Sequence, residues 1–430
     1  MGRDVSADTP VARQSDIYLR GISGEAPRVP TDWRRLEDEA QRRMSREAVA
    51  YVAGGAGAET TIAANRAAFE RHRIVPRVLR DVSSRDTGVV LFGRRIPAPL
   101  LLAPIGVLEL AHRAADVAVA SAAADVGLPM IFSTQASVPM EECARVMGAS
   151  PRWFQLYWSK NDALVESLVR RAESAGCDAI VVTLDTKLLG WRTRDLDLAY
   201  LPFLHGKGIA QYVSDPVFMA AARASAAAGA RAPRRKATLG AIGVLLEITR
   251  AHPGGFWPNV RSKLPLAAVQ EFIATYSRQS LAWDDLRFLR ERTRLPILLK
   301  GILHPDDARR ALSYGIDGLI VSNHGGRQVD GAIASLDALP AVVDAVGDRV
   351  PVLLDGGIRG GADVFKALAL GARAVCVGRP YVYALALAGR EGVRELLEDL
   401  VADFEITMAL AGYRSVADID RRALAAGPTP

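Results

Sequence analysis

The sequence predicts an α/β chain folded as a (β/α)8 barrel of the TIM type, with a long segment inserted after the fourth strand. Three observations point to it: eight short apolar runs that each end on a polar residue or glycine, helix-like segments between them, and one gap far longer than the rest. In chain order the runs are PLLLAP (99–104), PMIFST (129–134), WFQLYW (153–158), AIVVTLD (179–185), PILLKG (296–301), GLIVSN (318–323), PVLLDG (351–356) and AVCVGR (374–379). They are apolar on both faces, as parallel strands covered on each side require. Between them AADVAVASAAADVG, NDALVESLVRRAESAG, HPDDARRALSYG and GADVFKALALGA carry apolar residues at helical spacing and a glycine at the end. Most runs lie about 20 to 30 residues apart, the repeat of a βα unit, and eight such units close a barrel. A doubly wound open sheet is the alternative, and the count of eight argues against it.

The exceptional gap runs from Asp185 to Pro296. Within it SAAAGARAPRR (225–235) is Ala/Arg-rich and reads as a solvated stretch, whereas WRTRDLDLAYLPFLHGKGIAQYVSDP and the neighbourhood of Trp283 read as ordered. Long segments at this rim of a barrel commonly serve as lids. The expected organisation is an N-terminal extension (1–30), a barrel domain (31–415) whose lid covers about 200–283, and a C-terminal tail (416–430).

The 430 residues are 50% apolar, enough to fill a large core, and 54 basic against 48 acidic residues give a mild +6 spread along the chain. No basic stripe interleaved with aromatics favours nucleic acid. Cys143, Cys177 and Cys376 form no CxxC or Cys/His spacing, so neither a metal site nor a redox pair is expected, and a reducing cytoplasmic setting fits. No run approaches the roughly 18 apolar residues of a membrane span, and the N-terminus has no apolar export signal.

In a barrel of this kind the site forms where the strands end. The ends carry Ala103-Pro104, Ser133, Gln155 with Tyr157, Thr183 with Asp185, Lys300, Ser322 with His324, Asp355, and Gly378-Arg379. Packing alone does not call for polar groups at so many of these positions. DGGIRGGADVF (355–365) and VGRPYV (377–382) place glycines and the arginines Arg359 and Arg379 just before helices, which suits a phosphate on exposed backbone N–H groups. His324 has Asp185 as a candidate partner across the barrel mouth, since both follow strand ends, with a helix N-cap as the duller reading of Asp185; a histidine paired with a carboxylate would make a general base. Arg192 and Arg327 offer planar forks for a carboxylate, Tyr157 and Tyr51 hydrogen bonds to the same anion or a hydroxyl, and Lys300 a positive charge against a cofactor gaining electrons. His72, His112, His252 and His304 lie at no strand end and read as structural; His205, in the lid, is the one exception to test.

These motifs together, SNHGGRQVDG preceded by LLKGIL and followed by DGGIRGGADVFKALALGA and VGRP, with YVAGGAG, FQLYW and VVTLDT upstream, resemble the FMN-dependent 2-hydroxy-acid oxidising enzymes over residues 31–415. Within that family the lid sequence and IYLRGISGEAPRVP look most like lactate 2-monooxygenase. The resemblance implies FMN held by Pro104, Ile105, Gly106, Ser133, Gln155, Tyr157, Thr183, Lys300 and Ser322, with its phosphate on Asp355, Gly356, Gly357, Ile358, Arg359, Gly378 and Arg379. It implies His324 as base, oriented by Asp185, with Tyr51, Tyr157, Arg192 and Arg327 on the substrate and Lys300 stabilising reduced flavin. Gln135, Val107 and Leu108 are expected to face the substrate's side chain. The implied partners are a small 2-hydroxy acid and O2, with neither nucleic acid nor membrane, and the implied assembly is a homotetramer or larger. The implied reaction is L-lactate to acetate, CO2 and water, with an oxidase that releases 2-keto acid and H2O2, or a dehydrogenase using another acceptor, as alternatives.

Overall fold

The computed structural model describes residues 10–227 and 238–425. Eight strands, β1 (Leu100–Leu102), β2 (Met130–Phe132), β3 (Arg152–Leu156), β4 (Ile180–Thr183), β5 (Ile297–Ile302), β6 (Gly318–Val321), β7 (Val352–Asp355) and β8 (Ala374–Val377), coincide with the eight apolar runs. Each pairs in parallel with its neighbour and β8 pairs back to β1, so the sheet is a closed barrel rather than an open doubly wound one.

Successive side chains of a strand point to opposite faces. Leu101, Ile131, Trp153, Val181, Leu298, Ile320, Leu353 and Cys376 are buried together inside the barrel, while the alternate residues pack outward in the larger core under the helices. Two residues further along each inward row stand Ala103, Ser133, Gln155, Thr183, Lys300, Ser322, Asp355 and Gly378. The same periodicity that fills the barrel with apolar groups therefore ends it in a mostly polar ring.

The opposite mouth is plugged by the antiparallel pair Val89–Leu91 and Arg94–Ile96, whose Val89, Leu91 and Ile96 join the interior cluster. Phe92 at its turn sits 5.6 Å from the Trp153 ring. Helix Trp33–Arg43 packs on the long C-terminal helix Arg379–Leu410, and helix Pro10–Ile22 is tied to that helix by Arg13 and Asp399 at 2.7 Å. Residues 416–425 carry two short 3-10 turns, Val416–Asp418 and Arg421–Ala423, and Leu424 bridges to Ile74.

The segment between β4 and β5 is helical: Thr193–Asp197, Ala210–Val213, Pro216–Ala227, Leu239–Ala251, Phe256–Arg261 and Leu264–Thr275 precede Asp285–Arg290, the helix that leads into β5. Its aromatics interlock, with Tyr212 4.8 Å from Phe272 and Phe203 5.2 Å from Phe272, and they are continuous with the core under the helices. Most of the Ala/Arg-rich stretch lies outside the described residues. No helix among the described residues is long and apolar enough to cross a membrane.

Candidate active site

A single cavity opens at the polar end of the barrel. Of the residues singled out from sequence as catalytic or cofactor-binding, all but Asp185 and Ser322 line it. Asp185 stands behind His324, and Ser322 lies fully buried beneath, accepting from Lys300 Nζ at 2.8 Å and from the His324 N–H at 3.0 Å.

His324 Nδ1 lies 2.8 Å from Asp185 Oδ1. Asp185 reaches this place because β5 carries an irregularity between Lys300 and Ile302; Gly301 there has φ +106°, and a Cβ on it would come within 2.8 Å of Asp185 Cβ. Burial disfavours the Asp185 charge, but His324 and Lys300 more than offset it and hold the carboxyl below its ordinary value. For His324, burial outweighs the pull of Asp185, and Lys300 and Arg192 add to it, so its pKa falls below 6.5. The imidazole is thus neutral near pH 7, with its proton on Nδ1 facing an ionised carboxylate and a free lone pair on Nε2. Tyr157 OH lies 3.5 Å from Nε2, and its pKa is pushed up to about 12 by burial and by Asp185, so it remains a hydrogen-bond donor.

Lys300 Nζ sits 2.8 Å from Asp355 Oδ2. Burial works against its charge, but Asp355 and Asp185 reverse that and raise its pKa, so the barrel carries a permanent cation at the floor of the cavity. Arg192 donates to Arg327 O and to Gln328 Oε1, both at 3.3 Å, and Arg327 to the carbonyls of Tyr51 and Gly54. The two guanidiniums lie 6.0 and 5.0 Å from the centre of the Tyr51 ring. Burial, reinforced by the neighbouring Arg192, presses the Arg327 pKa down, so a positive charge here is costly until something offsets it. Arg379 spans the Val52, Gly54 and Gly325 carbonyls at 2.9–3.0 Å, which makes it a strut between the N-terminal segment and the His324 turn as well as a wall of the cavity. Gly356 and Gly357, at φ +99° and +88°, give the anion loop a backbone path that side chains rarely permit.

The far wall comes from Leu189 in the loop after β4 and, within the lid, from Leu201, Phe203, Ile273 and Tyr276. Gln135 lines the cavity as expected, but Val107 and Leu108 do not. Both are buried; the lid's Gly208 lies directly over Val107, where a Cβ would come within 2.5 Å of Val107 Cγ2, and its N–H bonds Glu109 at 2.9 Å. Val107 therefore seats the lid instead of facing substrate, and Leu108 is buried away from the cavity. His205 pairs with Glu247 within the lid at 2.8 Å and does not line the cavity.

Three contributors were not singled out from sequence. Thr186 Oγ1 lies 3.2 Å from both His324 Nδ1 and Asp185 Oδ1. Gln328 ties down the loop after β4 through the Asp185 and Leu188 carbonyls. Asp195, on helix Thr193–Asp197 ahead of the lid, is buried close enough to Arg327 and Arg192 to feel their charge. Thr186 and Gln328 lie within the quoted VVTLDT and SNHGGRQVDG motifs; Asp195 lies within the quoted WRTRDLDLAY stretch, where nothing local sets it apart from its neighbours.

Residues 40–426 match the family model described as FMN-dependent dehydrogenase. The chain belongs to this family. It is 42% identical to the FMN-dependent alpha-hydroxy acid dehydrogenase qulF of Penicillium citrinum, over 95% of this chain and 94% of that one. It is 41% identical to an L-lactate oxidase of Lysinibacillus sphaericus, over 93% and 94%, and 41% identical to a 4-hydroxymandelate oxidase of Amycolatopsis orientalis, over 89% and 94%. Among solved structures, a mandelate oxidase with (S)-4-hydroxymandelic acid superposes with a TM-score of 0.75 at 38% identity, covering 92% of this chain and 98% of that one. The FMN-dependent dehydrogenase family binds FMN, and the cavity fits it: buried polar atoms of Gln155 (Nε2), Thr183 (Oγ1), Asp355 (Oδ1) and Arg359 (Nε) find no partner within the described residues although all four side chains border the cavity. Buried polar atoms are rarely left so unless a ligand completes them.

Proposed function

We propose that the protein oxidises an L-2-hydroxy acid with O2, and that its reaction is lactate 2-monooxygenase-like: L-lactate + O2 to acetate, CO2 and water. The observation that carries the reading is the His324–Asp185 pair, 2.8 Å apart, set in one cavity with Arg192, Arg327 and the Lys300 cation. Bound FMN supplies the two-electron acceptor. Arg192 and Arg327 hold the substrate carboxylate, with Tyr51 and Tyr157 on the substrate oxygens. His324 Nε2 takes the proton from the C2–OH unit, and Asp185 stabilises the imidazolium that results. Lys300, a buried cation on the cavity lining, would hold FMN there and favour the negative charge that the cofactor would gain on reduction. The lid wall of Leu201, Phe203, Ile273 and Tyr276 shields the cavity, a means of keeping the 2-keto acid beside the second half-reaction.

The relatives named as L-lactate oxidase and 4-hydroxymandelate oxidase favour a second reading, in which the keto acid leaves with H2O2 as co-product. Turnover of L-lactate under O2, with pyruvate, H2O2, acetate and CO2 all quantified, separates the two. Acetate and CO2 with little peroxide support the first; pyruvate with stoichiometric peroxide supports the second; turnover only with an acceptor other than O2 refutes both. We also propose, on the family resemblance alone, that the protein is a homotetramer or larger.

A further inference from the structure

Asn65 lies on helix Thr60–Arg71, outside the barrel and 258 residues from Asn323, yet the two amides are buried face to face. Asn65 Nδ2 donates to Asn323 Oδ1 at 2.9 Å and Asn323 Nδ2 to Asn65 Oδ1 at 2.8 Å. Asn65 Oδ1 also accepts from Ser335 N at 3.0 Å, and Asn323 Oδ1 from Gly326 N at 3.1 Å. The Asn323 N–H in turn bonds Ser335 Oγ at 3.1 Å.

Two features of the site converge on this pair. The first is the turn that carries the base. His324, Gly325 and Gly326 have φ of 58°, 63° and 77°, three successive left-handed residues, one of them not glycine. Such a backbone persists only where its surroundings over-determine it, and here Asn323, the residue before His324, is held by Asn65 and Ser335, while its side chain in turn accepts from the N–H of Gly326, two residues after His324. The second is the anion loop. A Cβ on Gly356 would come to 3.4 Å from Asn65 Nδ2 and 3.5 Å from Asn323 Oδ1, and one on Gly357 to 2.8 Å from Asn65 O. The adjacent Arg66 bonds the Gly357 carbonyl and Asp363 Oδ2. Asn65 does not line the cavity, so whatever it contributes passes through these neighbours.

We propose that Asn65 is a positioning residue that locks the His324 turn and the Gly356–Gly357 anion loop into one register, so that base and cofactor phosphate are set relative to each other from outside the barrel. An amide suits this post because donor and acceptor are both used; an aliphatic side chain would leave the Ser335 N–H buried without a partner and strip the Asn323 amide of one donor and one acceptor, leaving it only Gly326 N and the Ile333 carbonyl. The part concerning the base rests on the reading of His324 given above; the part concerning the anion loop does not.

Asn65→Ala and Asn65→Asp are to be compared with the unmodified holoenzyme by three measurements: FMN dissociation constant by flavin fluorescence, the rate of flavin bleaching on anaerobic mixing with L-lactate, and the affinity for oxalate, a carboxylate with no C2–H to lose. Asn65→Ala is expected to slow bleaching roughly 10- to 100-fold and to weaken FMN roughly tenfold, as loss of outer-shell support does, with oxalate affinity held within about threefold. Oxalate is spared because Arg192 and Arg327 are anchored on Gln328, Tyr51 and Gly54, not on Asn65. Asn65→Asp keeps the acceptors for Asn323 Nδ2 and Ser335 N and is expected to recover part of both losses; it also serves if the alanine variant does not fold. Bleaching and FMN affinity unchanged in both variants, even with a lower Tm, overturn the proposal, as does an equal loss in oxalate affinity, which signals collapse of the site. If His324→Ala bleaches as fast as the unmodified enzyme, the reading of the base fails instead, and FMN affinity alone then decides the role of Asn65.

Discussion

His324 sits in the left-handed region at φ 58° with its Nδ1 committed to Asp185, so only Nε2 is left to accept a proton. Asp185→Asn would offer an N–H to Nδ1 and drive the imidazole into the tautomer whose Nε2 carries hydrogen. The expected result is a fall in the anaerobic flavin-reduction rate of roughly 10²- to 10⁴-fold with FMN still bound, read by stopped-flow absorbance. The pH dependence follows from the direction of the His324 shift. Its pKa is lowered from the ordinary 6.5 by burial, so the basic form predominates at neutral pH and is lost as pH falls through that lowered value. The profile of kcat/KM is therefore expected to be level near pH 7 and to drop tenfold per unit on the acid side, and an acid limb centred above pH 7 would contradict this assignment. Lys300 and Asp185, whose shifts favour their charged forms, should add no limb near neutrality.

The lid is joined to the barrel at Gly208, whose φ is +69° and whose missing Cβ leaves room for Val107 and for Phe203 Cε1. A side chain there is strained by about 1–2 kcal/mol before any clash is counted. Gly208→Ala is expected to lift this stretch of the lid from Glu109 and Val107, raise KM for L-lactate, and shift products from acetate and CO2 toward pyruvate and H2O2. The ratio of acetate to pyruvate measures it, and an unchanged ratio in a variant with raised KM would separate lid closure from product retention. At this scale sequence and structure agree unevenly. Each strand was legible because a run buried on both faces has few other readings, and the polar ring at the strand ends follows from the same period of two. The lid's wall was not legible: Leu201, Phe203, Ile273 and Tyr276 are ordinary helix and turn residues, and only packing against Tyr51 and the aromatic cluster turns them toward the cavity. Val107 and Leu108 were misplaced for the same reason, since adjacency to Pro104–Gly106 does not say that the lid will cover Val107 or that Leu108 will be buried away from the cavity.

Across the whole molecule, elements from both chain ends close on the barrel: helices Trp33–Arg43 and Thr60–Arg71 on one side, and the long helix Arg379–Leu410 that follows β8. Helix Pro10–Ile22 lies on that long helix and leaves Tyr18, Leu19 and Ile22 exposed. If the protein is a homotetramer, replacing these three with serine is expected to lower the mass seen by light scattering while leaving the secondary structure by circular dichroism unchanged; an unaltered mass places the interface elsewhere. The sequence by itself determined the barrel, its strand order and the residues at its mouth, because alternation, helix spacing and turn glycines are local signals that repeat eight times. Only the tertiary structure decided that Thr186 joins the His324–Asp185 pair, that Arg379 braces backbone carbonyls, and that Asn65 meets Asn323. Those contacts join residues far apart in the chain, and no local pattern encodes which side chain will lie behind another once the barrel has closed.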